Sequence, residues 1–485
     1  MHELSPMKAF IASLEKLLGR DRVLHTPAAR MAYECDALTI AKHRPDVVVL
    51  PESTQEVSAV CKLAHATGVA VVPRGAGTGL SGGALAADGG VMIATARMNR
   101  ILAVDVPNRR AVVQPGLVNT PLSEAVRSEG LGFAPDPSSQ FACTLGGNVA
   151  ENAGGPHTLK YGVTTNHVLG LTVVRSDGSI VTLGGTAEGL PGYDLVGLFV
   201  GSEGTLGVAT EIVVKLVALP EAVRTMLAVF DSIAHASDAV GALIRSGIVP
   251  AALEMMDNLV IRAVEAAYGF GFPLDAAAVL IVELDGLAAG LDRQAVRASD
   301  ILKASGAREV RLAKDEADRQ LLWKSRKRAV GALGRYAPAH ATQDGVIPPS
   351  KLPEVLAQIA RIADRYRIRI ANVFHAGDGN LHPIALFDDR DEDEIRRVIA
   401  AGGEILRLCA SLGGSITGEH GIGIEKLAHM ELLFGPDDLF IQDAIRRIWD
   451  PEGLMNPGKL LPQRACGEVA RFSGATARAQ LGGLR

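Results

Sequence analysis

Apolar positions along this chain fall into short runs broken by glycine clusters from about Asp46 to Leu216, and into a different pattern after Pro220. In the first stretch Val47 to Leu50 is an apolar strand. A helix opens after it, capped by Ser53, with Glu56 three residues on completing a capping box. A second strand, Val69 to Val72, runs directly into Pro73-Arg74-Gly75-Ala76-Gly77-Thr78-Gly79-Leu80-Ser81-Gly82-Gly83. Further strands are expected at 91–94, 111–114, 171–174, 179–183 and 211–217. Residues 224–310 alternate strands, such as Val279 to Leu284, with alanine-rich helices, the pattern of a separate α+β domain. Leu14, Leu17 and Leu18 belong to a short amphipathic helix near the start. The acidic run Asp388 to Glu394 reads as a solvated turn and helix start, and the stretch after Gln463 as a loosely ordered tail.

At 485 residues two or three domains are expected. A net charge of -5 gives no case for a nucleic-acid partner. Five scattered cysteines, Cys35, Cys61, Cys143, Cys409 and Cys466, include no C-x-x-C pair, so neither an iron–sulfur cluster nor a c-type haem is suggested. They read as free thiols of a cytoplasmic protein. No run reaches the ~20 apolar residues of a membrane span. Fifty-three glycines against 4% aromatics point to tight turns and close backbone approach to a ligand.

The glycines cluster. Gly77-x-Gly79-x-x-Gly82 follows a strand and formally matches a Rossmann fingerprint, but that fold needs an uninterrupted helix next. Here Asp88-Gly89-Gly90 and a strand intervene, and no Lys-Ser/Thr ends the run as in a Walker loop. A nest of backbone N–H groups for an anion remains. Pro135-Asp136-Pro137-Ser138-Ser139 and Gly146-Gly147-Asn148-Val149-Ala150-Glu151-Asn152-Ala153-Gly154-Gly155 form a second patch, and Gly201 to Gly207 a third. Three such patches suit a dinucleotide better than a single phosphate.

The sharpest constellation is His375-Ala376-Gly377-Asp378-Gly379-Asn380-Leu381-His382, a Gly-Asp-Gly-Asn turn between apolar flanks. Paired as a hairpin, the flanks are expected to set His375 and His382 opposite one another with Cβ atoms ~5 Å apart, a spacing for one divalent ion. Gly418-Glu419-His420-Gly421 adds a carboxylate beside a third histidine. The proposed ligands are His375, His382 and Glu419, with His420 free as a base. A lone histidine is more often a hydrogen-bonded turn residue; three with a glutamate, all in glycine-rich frames, favour a site.

Together these segments, with Leu159-Lys160-Tyr161-Gly162, Leu253-Glu254-Met255-Met256-Asp257 and Asn456-Pro457-Gly458-Lys459, resemble the FAD-linked oxidase family with its vanillyl-alcohol-oxidase (PCMH) type of FAD domain. Within it the chain is most similar to the FAD-binding catalytic subunits of bacterial glycolate oxidases, over roughly residues 20–465. The resemblance implies an α+β architecture: an N-terminal helical segment (1–45), an FAD domain (46–220), a ferredoxin-like cap carrying the histidine hairpin (221–415), a segment returning to the flavin (416–465) and a tail (466–485). It implies that the loop from Arg74 to Gly79 after Pro73 holds the FAD pyrophosphate. Pro135, Asp136, Ser138, Gly146, Asn148, Asn152, Gly155, Glu203 and Gly207 would line the rest, and Asn456 would approach the isoalloxazine ring. Related D-2-hydroxy acid dehydrogenases place a divalent metal, here zinc or manganese, at positions matching His375, His382 and Glu419, and a base at His420.

Their substrate-carboxylate arginine matches Arg326, whose fork suits bidentate binding, although a surface charge in a basic helix fits that position equally well. Some relatives use a lysine near the position of Gln343, where Gln343-Asp344-Gly345 stands here, and its absence disfavours a large dicarboxylate substrate. The expected activity is oxidation of a small 2-hydroxy acid, glycolate to glyoxylate first. Electrons would pass to a second FAD-domain subunit and an iron–sulfur subunit, and through them the chain would sit peripherally at the inner membrane face. The rivals are a D-lactate dehydrogenase of the same family and a non-catalytic FAD-binding electron-transfer or assembly subunit.

Overall fold

The computed structural model describes residues 6–187, 189 and 191–462; the expected tail beyond them, with Cys466, lies outside the described residues. The chain first builds a small sheet in which Val47–Val49, Val91–Ala94 and Val71–Arg74 run parallel, with Val23–Leu24 antiparallel at one edge. Helices Pro6–Leu18 and Thr54–Thr67 cover one face, and Leu14 and Leu18 are buried there with Val47, Val49 and Val71. Leu17 is exposed, so the amphipathic stripe is narrower than all three leucines.

Local chemistry sets these elements with small departures from expectation. Ser53 Oγ accepts the Glu56 N–H at 3.2 Å, but Glu56 returns its carboxylate to the N–H of Glu52, one residue before the cap. The second strand begins at Val71, because Gly68 ends the helix in the left-handed region and Val69 still donates to Ala64.

A five-stranded antiparallel sheet follows, in the order Ile101–Asp105, Arg110–Val113, Val208–Lys215, Val168–Val174, Ile180–Gly184. Its buried face packs on helices Asn119–Val126, Leu145–Glu151 and Leu195–Phe199. From Ala222 the chain enters a larger antiparallel sheet built on Ala222–Phe230, Ala278–Gly286, Ala252–Asp257 and Arg369–His375. Both faces of this sheet are covered. Met226, Ala228 and Phe230 enter one core, with helices Ile233–Arg245, Ala288–Ala304, Leu352–Tyr366 and Glu392–Ser411; Leu227 and Val229 enter the other, with helix Asn258–Tyr268. Two buried faces are why its strands read as unbroken apolar runs. The acidic run does open a helix, with Asp391 accepting from Asp393 and Glu394 N–H groups.

The last described segment returns to the first sheet. After helix Pro436–Trp449, Met455 bridges Val71 in parallel, and the Asn456 N–H donates to Val71 at 2.8 Å. Among the described residues no helix is long and apolar enough to cross a membrane.

Candidate active site

The glycine-rich segments converge on one cleft, about 1620 Å³ including its open mouth. Its wall holds Pro73, Arg74, Gly75, Ala76, Gly77, Thr78 and Gly79, then Ser138, Gly146 and Asn148, then Glu203 and Gly207. From the large sheet and its helices come Arg326, Val330, His340, Thr342, Val373, His382 and Ile384, and Glu419 and His420 complete the wall. The loop after Arg74 gives way to the strand Val91–Ala94 rather than to a helix, as the Rossmann exclusion required. Gly77 sits at φ +72°, and a Cβ there would lie 2.1 Å from Arg74 Nη2: the guanidinium folds back over bare backbone. Arg74 donates to the Cys35 carbonyl at 2.9 Å and covers the Tyr33 ring.

Five of the expected cofactor residues stand outside this wall. Pro135 O accepts from Asn119, and Asp136 accepts from His157 at 2.8 Å. Asn152 caps a helix and accepts the Thr165 N–H, and Gly155 is pressed against the Asp136 backbone. Asn456 Nδ2 donates to the Gly83 and Glu203 carbonyls at 2.9 and 2.6 Å, so it braces two cavity loops from behind. These residues share motifs with the lining, but the side chains of Asp136, Asn152 and Asn456 bond to other parts of the protein.

At the other end of the cleft His382 and Glu419 meet His375, which lies buried behind the wall. Glu419 Oε1 lies 3.3 Å from His375 Nε2 and 3.2 Å from His382 Nε2. One ligand atom from each of the three falls within 4.8 Å of the others. The hairpin register differs from the expected one: His375 pairs with Asn380, and Asn372 with Pro383. His382 is therefore two residues further along the partner strand, a diagonal neighbour of His375 rather than its opposite. Side chains alternate with period two, so a two-residue offset keeps both histidines on one face, ring centroids 5.0 Å apart. His420 stacks on His382, centroids 5.0 Å apart and planes 5° apart.

Electrostatics separates the histidines. Burial would depress His375, but the Glu254 and Glu419 carboxylates beside it hold it well above the usual imidazole range. Burial, reinforced by His382, brings His420 down to about 4 although Asp344 opposes the shift, so His420 is neutral near pH 7. Burial would raise Glu419, yet the two histidines hold it well below the usual carboxylate range.

Two carboxylates that the motif reading passed over organise this end. Glu254, fully buried, accepts His375 Nδ1 at 2.7 Å on one oxygen and Arg326 Nε at 2.6 Å on the other. Arg326 is thus no surface charge: only 4% of its side chain is exposed, and it reaches the cleft from helix Glu316–Lys327. Asp344, also fully buried, accepts from the backbone of the Glu419–His420 loop. The signal for Glu254 was its place between Ala252-Leu253 and Met255-Met256 in a fully buried strand. Gln343 turns away from the cleft and donates to Glu425 at 3.1 Å; its strand neighbours His340 and Thr342 face the cleft instead.

The polar atoms of the wall that lack a protein partner sort by end. Arg74 Nη1 and Asn148 Nδ2, both donors, lie at the glycine-loop end, and Glu151 Oε2, on a carboxyl that burial holds well above its usual range, lies between the ends beside Gly421. Donors at bare backbone suit the phosphates of a dinucleotide. Glu419 Oε2, His382 Nδ1 and His420 Nδ1 lie at the other. His375 Nδ1 is engaged with the Glu254 carboxylate, so Nε2, 3.3 Å from Glu419, is the nitrogen that would give up its proton to a metal, the arrangement of a metal-binding histidine. The residues present fit both FAD and a divalent cation.

The described cysteines are free and scattered. Residues 45–184 match the FAD binding domain model, and residues 219–460 match the C-terminal domain model of FAD linked oxidases. Glycolate oxidase subunit GlcD of Escherichia coli K12 is 50% identical over 91% of this chain and 88% of its own length. The protein of the same name from Bacillus subtilis is 40% identical over 93% and 96%, and D-lactate dehydrogenase of Anaerostipes hadrus 34% identical over 92% and 96%. Solved structures of p-cresol methylhydroxylase and of 4-ethylphenol oxidase from Gulosibacter chungangensis superpose with TM-scores of 0.81 and 0.79. They cover 94% and 95% of the chain, and 97% and 98% of their own, at 18% and 19% identity, which establishes the PCMH-type fold alone. The chain belongs to the FAD-linked oxidase family, within its branch of FAD-dependent 2-hydroxy acid oxidases and dehydrogenases.

Proposed function

We propose that this protein oxidises a small 2-hydroxy acid, glycolate first, to the 2-oxo acid, with FAD as acceptor and a divalent metal, zinc or manganese, held by His375, His382 and Glu419. The observation that carries the reading is the convergence of a neutral histidine, a carboxylate-linked histidine pair and a buried arginine on one end of a cleft whose other end is a glycine-rich anion cradle. FAD supplies the two-electron acceptor and the metal supplies Lewis acidity toward the substrate oxygens.

The side chains have separate tasks. Arg326 receives the substrate carboxylate; Glu254 holds its Nε, leaving the rest of the fork toward the cleft. His420, uncharged, takes the hydroxyl proton. Val330, Val373 and Ile384 exclude water beside the reacting carbon. The glycine loop with Arg74, and Ser138, Asn148 and Gly207, accommodate FAD. Val330, Val373 and Ile384 suit an apolar substituent on that carbon, so D-lactate is the second candidate substrate. Electrons leave to partner subunits, an iron–sulfur subunit among them, because the chain has no cluster-binding cysteine set.

The test is anaerobic mixing of metal-replete protein with glycolate, D-lactate, L-lactate and D-2-hydroxyglutarate, followed through the flavin band. Bleaching is expected with glycolate or D-lactate, and is expected to disappear after chelation and return with metal. A flavin that stays oxidised with all four acids overturns the reading, and His420→Ala turning over at the wild-type rate removes its base.

A further inference from the structure

The segment Thr417–Gly423 carries Glu419 and His420 but is neither helix nor strand, so its buried N–H groups need partners outside regular structure. Two carboxylates from different parts of the chain supply them. The N–H groups of Gly418, Glu419 and His420 point to Asp344 Oδ2 at 3.0, 3.2 and 2.8 Å, and the Thr417 hydroxyl donates to the same oxygen at 2.5 Å. Gly421 N–H turns to Thr417 Oγ1. Ile422 and Gly423 then donate to the two Glu203 oxygens at 2.6 and 2.7 Å. Glu203, expected as a flavin contact, therefore anchors this loop to the FAD domain. Asp344 has a further tie: Asn380 Nδ2, on the histidine hairpin, donates to its Oδ1 at 2.7 Å. Lys426 Nζ, 3.4 Å away, balances its charge.

We propose that Asp344 positions the two halves of the metal-binding set against each other, the Glu419–His420 loop on one oxygen and the histidine hairpin on the other. The proposal rests on the metal reading above. Three successive N–H groups aimed at one oxygen form a nest that requires an anion, and charged acceptors give the stronger hydrogen bonds. An asparagine offers one acceptor oxygen. Turned to the loop, it presents its amide hydrogens to Asn380 Nδ2; turned to the hairpin, it presents them to the nest. Either way one half of the set is released.

The test compares Asp344→Asn with Asp257→Asn in the full-length, FAD-loaded chain. Asp257 is an equally buried carboxylate that ties Asn372 on the same hairpin strand at 2.7 Å but touches none of the four site residues. The readout is manganese or zinc affinity by competition with a chromophoric chelator, alongside flavin content. Asp344→Asn is expected to keep its flavin and lose about 10–100-fold in metal affinity. Asp257→Asn is expected to lower thermal stability with metal affinity within about twofold of wild type. Wild-type affinity in Asp344→Asn, or an equal loss in both variants, overturns the proposal. Should Asp344→Asn lose its flavin, Thr417→Val decides by the same measurement, and unchanged affinity there counts against the idea. Wild-type protein that binds no metal defeats the metal reading itself, a separate outcome.

Discussion

Replacing Glu254 by glutamine perturbs two parts of the proposed chemistry through one atom change. Its carboxylate joins His375 Nδ1 at 2.7 Å to Arg326 Nε at 2.6 Å, with the glutamate fully buried and the arginine 4% exposed. Burial would raise this carboxyl, yet its two cationic neighbours hold it at about 2, so it is ionised at any working pH. Glutamine keeps the shape but removes the charge, leaving the Arg326 guanidinium buried without a counter-ion. Breaking a buried pair from one side costs about 3–5 kcal/mol; the one acceptor oxygen that glutamine keeps places this case near 3. At roughly 2–4 °C per kcal/mol for a domain of this size, Tm should fall by about 6–12 °C. Loss of the carboxylate behind a metal-binding histidine should weaken metal affinity by about 10–100-fold, or about 1.4–2.8 kcal/mol. Thermal melts and a chelator competition measure the two separately. The double variant Glu254→Gln/Arg326→Met discriminates further: removing the orphaned cation should restore much of the Tm while metal binding stays weak. A lower Tm with wild-type metal affinity and KM would refute the reasoning, reducing Glu254 to scaffold.

Three other outcomes are expected. Arg326→Lys should raise KM for the hydroxy acid by about 10–100-fold with flavin and metal retained, because one ammonium cannot serve both Glu254 and a carboxylate; unchanged steady-state KM counts against the assignment. Gly77→Ala should lower flavin retention after gel filtration by about tenfold: a left-handed alanine costs about 1–2 kcal/mol, and its Cβ displaces Arg74 from its fold over the loop. Finally, His157 is pushed down by burial but raised on balance to about 10 by Asp136 and Glu283, above its ordinary 6.5. Its contribution to stability is thus complete below about pH 6.5 and lost as pH rises toward 10, while that of Glu283, held at about 2 against an ordinary 4.5, is lost as pH falls from about 4.5. Urea melts from pH 6 to 10 should show this decline in wild type and not in His157→Gln; equal slopes dismiss the pair.

Much of the site was legible because its chemistry is concentrated in short motifs. Glycine spacing marked the loop after Pro73 as backbone that meets a ligand, and the strand after Gly90 excluded a Rossmann turn, which the fold bears out. The hairpin histidines were found from a turn and two apolar flanks. Their register was misjudged by two residues, since turn residues alone do not fix which pair closes a loop; only even offsets preserve a face, and this one is even. Motif membership did not put every residue on the wall: Asp136 holds the His157 backbone and ring, and Asn152 and Asn456 bond to backbone, because a loop pressed against a large ligand needs polar support on its far side as well.

Periodicity, glycine placement and the histidine motifs are local properties; they marked the cofactor cradle and the candidate ligands, and the fold class followed from the family resemblance those motifs carry. The roles of Glu254, Asp344 and Glu203 were decided only by tertiary structure. No local pattern told what each would bond, and each acquires its role through partners 72 to 220 positions away, such as Arg326, His420 and Gly423. Burying a carboxylate costs too much unless such partners converge on it, and sequence spacing carries no record of which distant donors will do so.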